Sequence, residues 1–551
     1  MTKHMGLDAI AAAGRGVPAE PTTTLEVSMS RVLSRALALA AGAVLLAGGV
    51  LAGAVPAHAT PGDAVSVITA ANPEVGARVA PYTQLLDGAT GPARPLPASP
   101  TTALSTAAAD LSAALGRPQN PAPAVQVAGL SGEVAGRLAN LLADLLACHE
   151  ITAEHLAALP PGGLAAALAT GAGVDPAAGP ALRGCAEDTW ADTIALQTAL
   201  RPAGATAECQ PLAANSLDIW PVLRLETGCA NNTYANDYLL QVDVGGNDTY
   251  RNNVGGNMVD VNFSPAGSAV PGVRGTGPAR GCQRAIPGLA AADCLPTAAV
   301  LLDLHGQDVY GVKESPDHDA GCTTDPVVRR MMTGGAGFLG VGVLRDAGGT
   351  TDTYTGKTGS LGAGHIFGVG VLSDTGGDDT YRSVRNSQGF ALVGGFGLLH
   401  DEAGRDSYDF YLPAPINPAA PNQTEGAGGV RDDEGEGLCD RVPRFTQGVA
   451  NVLPGTVGVL LDDAGQDTYH GAFVTEFVAP AQVLSVRAGS LGFGSNVGAG
   501  VMLDRGAADD SYTVDNEPPV AGVPARDDNT TIQPGNDATG AGAGSGLFID
   551  Q

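Results

Sequence analysis

Small and branched apolar residues alternate at several places along the second half of the chain. Glycine pairs stand at Gly340 and Gly342, Gly368 and Gly370, Gly395 and Gly397, Gly498 and Gly500, and Gly544 and Gly546. Apolar residues such as Val341, Val343 and Leu344, or Val369, Val371 and Leu372, fill the intervening positions. A period of two predicts strands, and a face kept bare of side chains predicts close approach of another backbone. Helices do not tolerate so many glycines.

Each glycine pair leads into a polar phrase: an Asp, a Gly-containing turn, a second Asp, then Tyr two residues later. It reads DVGGNDTY from Asp243, DLHGQDVY from Asp303, DAGGTTDTY from Asp346, DTGGDDTY from Asp374, DEAGRDSY from Asp401, DDAGQDTY from Asp462 and DRGAADDSY from Asp504, with a truncated copy, GSGLFID, ending at Asp550. Asp346 to Asp374 is 28 residues and Asp374 to Asp401 is 27, while spacings of 60, 43, 61 and 42 fit the same unit carrying insertions or a degenerate copy. A fixed phase marks a repeat architecture. Asp accepts hydrogen bonds from turn N–H groups just ahead and Gly supplies positive φ, so the phrase predicts a chain reversal. Tyr then opens the next strand, where its ring can stack on its counterpart in the neighbouring coil. The expected fold is mainly β: a parallel β-solenoid of about eight coils of ~27 residues over 231–551, preceded by a small all-α domain.

The first half has a different rhythm. From 106 to 230 the pattern turns helical, with Leu138, Leu141, Leu142, Leu145 and Leu146 on one stripe and Ser131 placed to cap its start. That stripe reads as a domain core, with a partner-binding face as the alternative. Residues 60–105, rich in Ala, Pro and Thr, read as a linker. Residues 1–59 read as a leader: Arg31 and Arg35, the apolar run from Ala36 to Val55, and the cleavage signal Ala57-His58-Ala59, with Met29 the expected start and Thr60 the first exported residue. No later segment is long and apolar enough to span a bilayer, so a secreted or extracellular protein is expected.

Charge narrows the partners. The chain carries −28, and −29 once the leader is removed, which repels nucleic acid and anionic membranes and favours cations. All eight cysteines follow the leader, none in a C-x-x-C pair, and an exported chain with an even count predicts disulfides. The expected pairing is local: Cys282 with Cys294, Cys322 with Cys439, and Cys148, Cys185, Cys209 and Cys229 bracing the helical domain.

Catalytic signatures are near misses. His149 and His155 lie six apart in HEITAEH, which is not the i, i+4 pair of a zinc protease. GAGFLG, with Gly335, Gly337 and Gly340, matches a dinucleotide-loop spacing but has no Rossmann unit around it, so it reads as strand. His305, His318, His365, His400 and His470 stand singly, and no G-x-S-x-G elbow occurs.

The chemical signal that remains is the carboxylate pair of each phrase: Asp243 and Asp248, Asp303 and Asp308, Asp346 and Asp352, Asp374 and Asp379, Asp401 and Asp406, Asp462 and Asp467, Asp504 and Asp510. Stacked coils would set them in two acidic ladders at about 4.8 Å. Like charges at that spacing need compensation, and Ca²⁺, a hard ion taking six to eight oxygens, suits them. The other reading is that each Asp only caps turn N–H groups, with water and sodium screening the charge.

The segment Gly245 to Tyr250, GGNDTY, resembles the aspartate-bearing half of the RTX nonapeptide, G-G-x-G-x-D-x-U-x, whose secreted bacterial members wind a β-roll around Ca²⁺. That resemblance implies that the second Asp of each phrase is a ligand. It covers only the turns and departs in period, near 27 residues against nine. Three functions follow as expectations: a non-catalytic, calcium-stabilised scaffold binding a cell-surface or extracellular ligand; a β-helix polysaccharide lyase or hydrolase, disfavoured by only 4% aromatics; and a toxin or protease with an RTX-like tail. A turn-capped solenoid without metal is the structural alternative to the first.

Overall fold

The structure is a computed structural model that describes residues 64–116, 129–159, 173–201, 209–260, 294–311, 332–410, 455–476, 486–505, 510–515, 531–532 and 545–551, scattered positions excepted, with short strands at 444–446 and 450–451. The leader expectation, with Met29 and the Ala59 cleavage site, lies outside the described residues, as do His318 and the pairings of Cys282, Cys322 and Cys439.

The glycine-rich half is a parallel β-solenoid, as its period of two requires. One wall has eleven strands, nine of them parallel from Leu223–Glu226 to Ser545–Asp550. Antiparallel strands, Leu217–Ile219 at one end and Thr531–Ile532 at the other, pair with the outermost of these and cover the open edges of the parallel run. The second wall has eight strands, from Thr233–Tyr234 to Ser511–Asp515, and a third has four two-residue strands, Gly337–Phe338, Gly364–His365, Ala391–Leu392 and Ala450–Asn451. GAGFLG thus falls on the third wall, as strand.

Register is kept across every insertion. Asp243 pairs with Asp303, Asp303 with Asp346, Asp374 with Asp401, Asp401 with Asp462, Asp462 with Asp504 and Asp504 with Asp550. Within a strand such as Val341–Asp346, alternate residues face opposite ways. Leu344 points inward, with Leu372, Leu399, Leu460 and the column of tyrosines, while Val341 and Val343 join the cluster formed with the helices. The bare interior positions have a steric cause. A Cβ on Gly342, Gly370 or Gly397 would lie 2.0, 2.1 and 2.1 Å from the carbonyl oxygens of Ala336, Ala363 and Phe390 on the facing wall.

The helices lie against the outer face of the eleven-stranded wall. That wall is therefore covered on both sides, and its strands read as continuous apolar runs. Gly132–Ala157, capped by Ser131 Oγ accepting from Val134 N at 3.2 Å, buries Leu138, Leu141, Leu142 and Leu145. His149 Nδ1 sits 3.0 Å from Thr297 Oγ1 of the solenoid, and burial pushes its pKa down. From Ala178–Leu200, Gln197 accepts from Arg345 Nε at 3.2 Å, and the Tyr82 ring stacks on Phe396 at 3.9 Å.

Two boundaries differ from expectation. The stretch read as a linker holds helices at Ala64–Ala71, Pro73–Val79 and Thr83–Leu86, with Val65, Ile68, Val75, Val79, Leu85 and Leu86 buried. Asn72 caps the second by accepting from Glu74 N and Val75 N at 3.1 and 3.2 Å. Its apolar residues are sparse among Ala and Pro, and it is the solenoid wall that makes burying them worthwhile. The β structure also starts earlier, at Leu217, because Glu226-Thr-Gly-Cys-Ala-Asn-Asn232-Thr-Tyr234 is a degenerate copy of the phrase, with Glu226 in register with Asp243 and Tyr234 with Tyr250. Disulfides join Cys148 to Cys185 between two helices and Cys209 to Cys229. The second pair thus braces the first coil of the solenoid and not the helical domain assigned to it by sequence.

Candidate metal centre

The two aspartates of a phrase sit in one turn but have different partners. The lead Asp closes the turn: its Oδ1 accepts the N–H two residues ahead, from Gly245 at 2.8 Å, His305 at 3.1 Å, Gly348 and Gly376 at 2.7 Å, Ala403 at 3.1 Å and Ala464 at 3.3 Å. Its Oδ2 accepts a phenol from the preceding coil: Tyr310 to Asp346 at 2.5 Å, Tyr408 to Asp462 at 2.7 Å, and likewise Tyr234 to Asp243, Tyr250 to Asp303 and Tyr354 to Asp374. The tyrosines form one stack from Tyr234 through Tyr250, Tyr310, Tyr354, Tyr381, Tyr408 and Tyr469 to Tyr512, with centroids 4.7 to 5.0 Å apart.

The second Asp links coils. Its Oδ1 accepts the backbone N–H of the second Asp one coil back: Asp248 to Asp308, Asp308 to Asp352 and Asp352 to Asp379 at 2.5 Å, Asp379 to Asp406 and Asp406 to Asp467 at 2.6 Å, and Asp467 to Asp510 at 2.7 Å. Its other oxygen is different. Oδ2 of Asp248, Asp379, Asp406 and Asp467 is buried and accepts no hydrogen bond, although these residues are only 1 to 2% exposed. Glycine makes room for the turn: Gly306, at φ +142°, would put a Cβ 1.6 Å from the Gly246 carbonyl oxygen.

The ladders therefore converge into buried triads, each made of the second Asp of one coil and both Asps of the next. They are Asp248, Asp303 and Asp308; Asp308, Asp346 and Asp352; Asp352, Asp374 and Asp379; Asp379, Asp401 and Asp406; and Asp406, Asp462 and Asp467. Within each, one oxygen per residue lies within 4.8 Å of the others, so these clusters could hold a metal ion. Burial, followed by neighbouring carboxylates, pushes the pKa of Asp308 up to about 9 and of Asp352 to about 11. Burial likewise holds Asp379 and Asp406 at about 7 and Asp243 and Asp467 at about 8, and carries Asp303, Asp374, Asp401 and Asp462 far above the carboxylate range.

All fourteen sequence-selected aspartates lie on these two ladders, as their shared phase implies. Asp243 and Asp504 occupy lead positions near the ends, Asp504 accepting from Tyr512 at 2.7 Å, and Asp510 is the last described second Asp. Sequence reasoning left out Asp550, which accepts from Tyr512 at 3.1 Å, and Asn232, whose N–H donates to Asp248 Oδ1 as the second Asps do. The truncated final phrase and the degenerate ETGCANNTY were the available signals. The histidines stay apart from the triads: His400 Nε2 meets Asp463 Oδ2 at 3.0 Å and His470 Nδ1 meets Asp409 at 3.3 Å. No helix among the described residues is long and apolar enough to cross a membrane. Comparison with protein-family models, curated proteins and solved structures gives no match.

Proposed function

We propose that this chain is a calcium-stabilised repeat scaffold that acts outside the cell by binding, as its RTX-like turns imply. The observation that carries the calcium reading is the row of buried second-Asp Oδ2 atoms without a hydrogen-bond donor, each in a cluster of carboxylates. A buried carboxylate oxygen left unpaired is costly, and a hard dication relieves both the missing partner and the repulsion between neighbours. Each triad would supply part of the six to eight oxygens Ca²⁺ takes, with turn carbonyls and water completing the set. The scaffold reading draws on the outer face of the eight-stranded wall. There Thr249, Thr353, Thr380, Ser407, Thr468 and Ser511 stand in register, flanked by Arg382, Asp409 and His470. Such a face, short, polar and repeated, suits contact with an extended ligand.

A second reading, a turn-capped solenoid without metal, draws support from the lead-Asp Oδ1 bonds and from the raised carboxyl pKa values, which let protons relieve the repulsion. Metal analysis of the purified exported protein separates the two. Several calcium ions per chain, retained through gel filtration, are expected. A chain that carries none and takes up none from millimolar Ca²⁺ overturns the calcium reading.

A further inference from the structure

The triads are not separate sites. Asp308, Asp352, Asp379 and Asp406 each belong to two consecutive triads, whereas the lead residues Asp303, Asp346, Asp374, Asp401 and Asp462 each belong to one. We infer that the ladders hold a continuous column of divalent cations, one between each pair of coils, with every second Asp bridging two neighbouring ions. This inference rests on the calcium reading above and adds the coupling between sites.

Three observations carry it. First, sharing follows from the coil geometry: the second Asp of one coil is hydrogen-bonded through Oδ1 to the coil before it, and its Oδ2, unpaired in Asp379 and Asp406, is the atom left for a cation. Second, the spacing suits bridging. Ions repeating with the coils would follow the Tyr354, Tyr381 and Tyr408 rings, at 4.7 and 4.8 Å, little more than the roughly 3.5–4 Å at which carboxylate-rich two-metal sites hold their ions. Third, the charges balance. Each coil contributes two carboxylates to the column, and one dication per gap neutralises them. Filling alternate gaps would leave half the pairs unneutralised among buried, like-charged neighbours.

Sharing makes a distinctive prediction about stoichiometry. Asp379→Asn removes a ligand from two sites, those of Asp352, Asp374 and Asp379 and of Asp379, Asp401 and Asp406, whereas Asp374→Asn removes one from the first alone. Calcium content of the purified full chain, measured after dialysis at one fixed Ca²⁺ concentration, is expected to fall by two ions per chain in Asp379→Asn and by one in Asp374→Asn. Circular dichroism would check that both variants keep the solenoid. Equal losses overturn the column while leaving calcium binding in place. An unmutated chain with no calcium overturns both. Because either variant can fail to fold, a second measurement uses the unmutated protein: Tb³⁺ replaces Ca²⁺, is excited through the tyrosine stack, and is loaded together with Eu³⁺. Ions bridged at coil spacing should pass excitation from Tb³⁺ to Eu³⁺ and shorten the Tb³⁺ lifetime several-fold at equal loading. A Tb³⁺ lifetime unchanged by Eu³⁺, with both ions shown to be bound, overturns the column.

Discussion

The phenol of Tyr381 donates to Oδ2 of Asp401 at 2.5 Å, joining a ring of one coil to the turn of the next. Tyr381 also stacks on Tyr354 at 4.7 Å and Tyr408 at 4.8 Å, so one residue ties the apolar column to the acidic one. The stack sets the distance between coils. The hydrogen bond occupies one lead-Asp oxygen while the turn N–H occupies the other, which leaves the second Asp as the residue with an oxygen to spare.

Tyr381→Phe keeps the stack and removes the donor from a buried carboxyl. A loss of about 1–3 kcal/mol is expected. Tyr381→Ala also opens a cavity and should cost about 3–5 kcal/mol. Urea denaturation of the two variants measures both, and equal losses would show that the hydroxyl contributes nothing.

Chelation should lower the melting temperature by many degrees. At ten times Kd each site adds about 1.4 kcal/mol, so several independent sites rival the stability of an ordinary domain. Sodium should not restore the loss, because screening is not selective, and neither should Mg²⁺, which demands a tighter octahedron. Identical calorimetric traces in EDTA and in excess Ca²⁺ would leave turn chemistry as the account of the ladders.

The pH dependence should change direction with metal. In the metal-free protein Asp379 and Asp406 are pushed up to about 7, Asp467 to about 8 and Asp308 to about 9, from an ordinary 3.8. The folded state thus binds protons more tightly than the unfolded chain. Its proton-linked stability is fully present below pH 3.8 and is lost as pH rises through about 7 to 9. Melting temperature in EDTA should fall from pH 5 to pH 9, and the increment given by Ca²⁺ should grow over the same interval as protons cease to compete. Melting curves at a series of pH values, with and without Ca²⁺, provide the check. A metal-free protein that gains stability with pH would contradict the raised carboxyl values.

Gly370→Ala should be strongly destabilising, about 1–3 kcal/mol or more, since its Cβ would lie 2.1 Å from the Ala363 carbonyl oxygen. Gly184→Ala, on a helix and with nothing within 4 Å, should instead stabilise by up to about 1 kcal/mol. Thermal denaturation compares them, and a tolerated Gly370→Ala would mean the facing walls can move apart.

Removing the Cys209–Cys229 bridge, which closes a 20-residue separation in the first coil, should cost about 3 kcal/mol. Denaturation of the Cys209→Ser, Cys229→Ser double variant tests this. No change would mean the coil is held by its strands alone.

The solenoid, its phase, the interior tyrosine stack and the fourteen aspartates were legible in the chain because all follow from local chemistry. A period of two, a glycine facing a backbone and an Asp closing a turn each need only a few neighbouring residues. Even the insertions did not hide the phase, since a loop can lengthen without shifting the strands on either side of it. Only the folded chain decided which oxygens are left over. That Asp379 spends Oδ1 on Asp352 N–H, 27 residues earlier, and joins two triads depends on coils stacking in register, a contact between residues remote in sequence. The helices at 64–86 depended on tertiary structure in the same way. Their few apolar side chains are buried together with the outer face of a wall built by residues far along the chain, and an Ala- and Pro-rich segment shows no sign of that wall in its own composition.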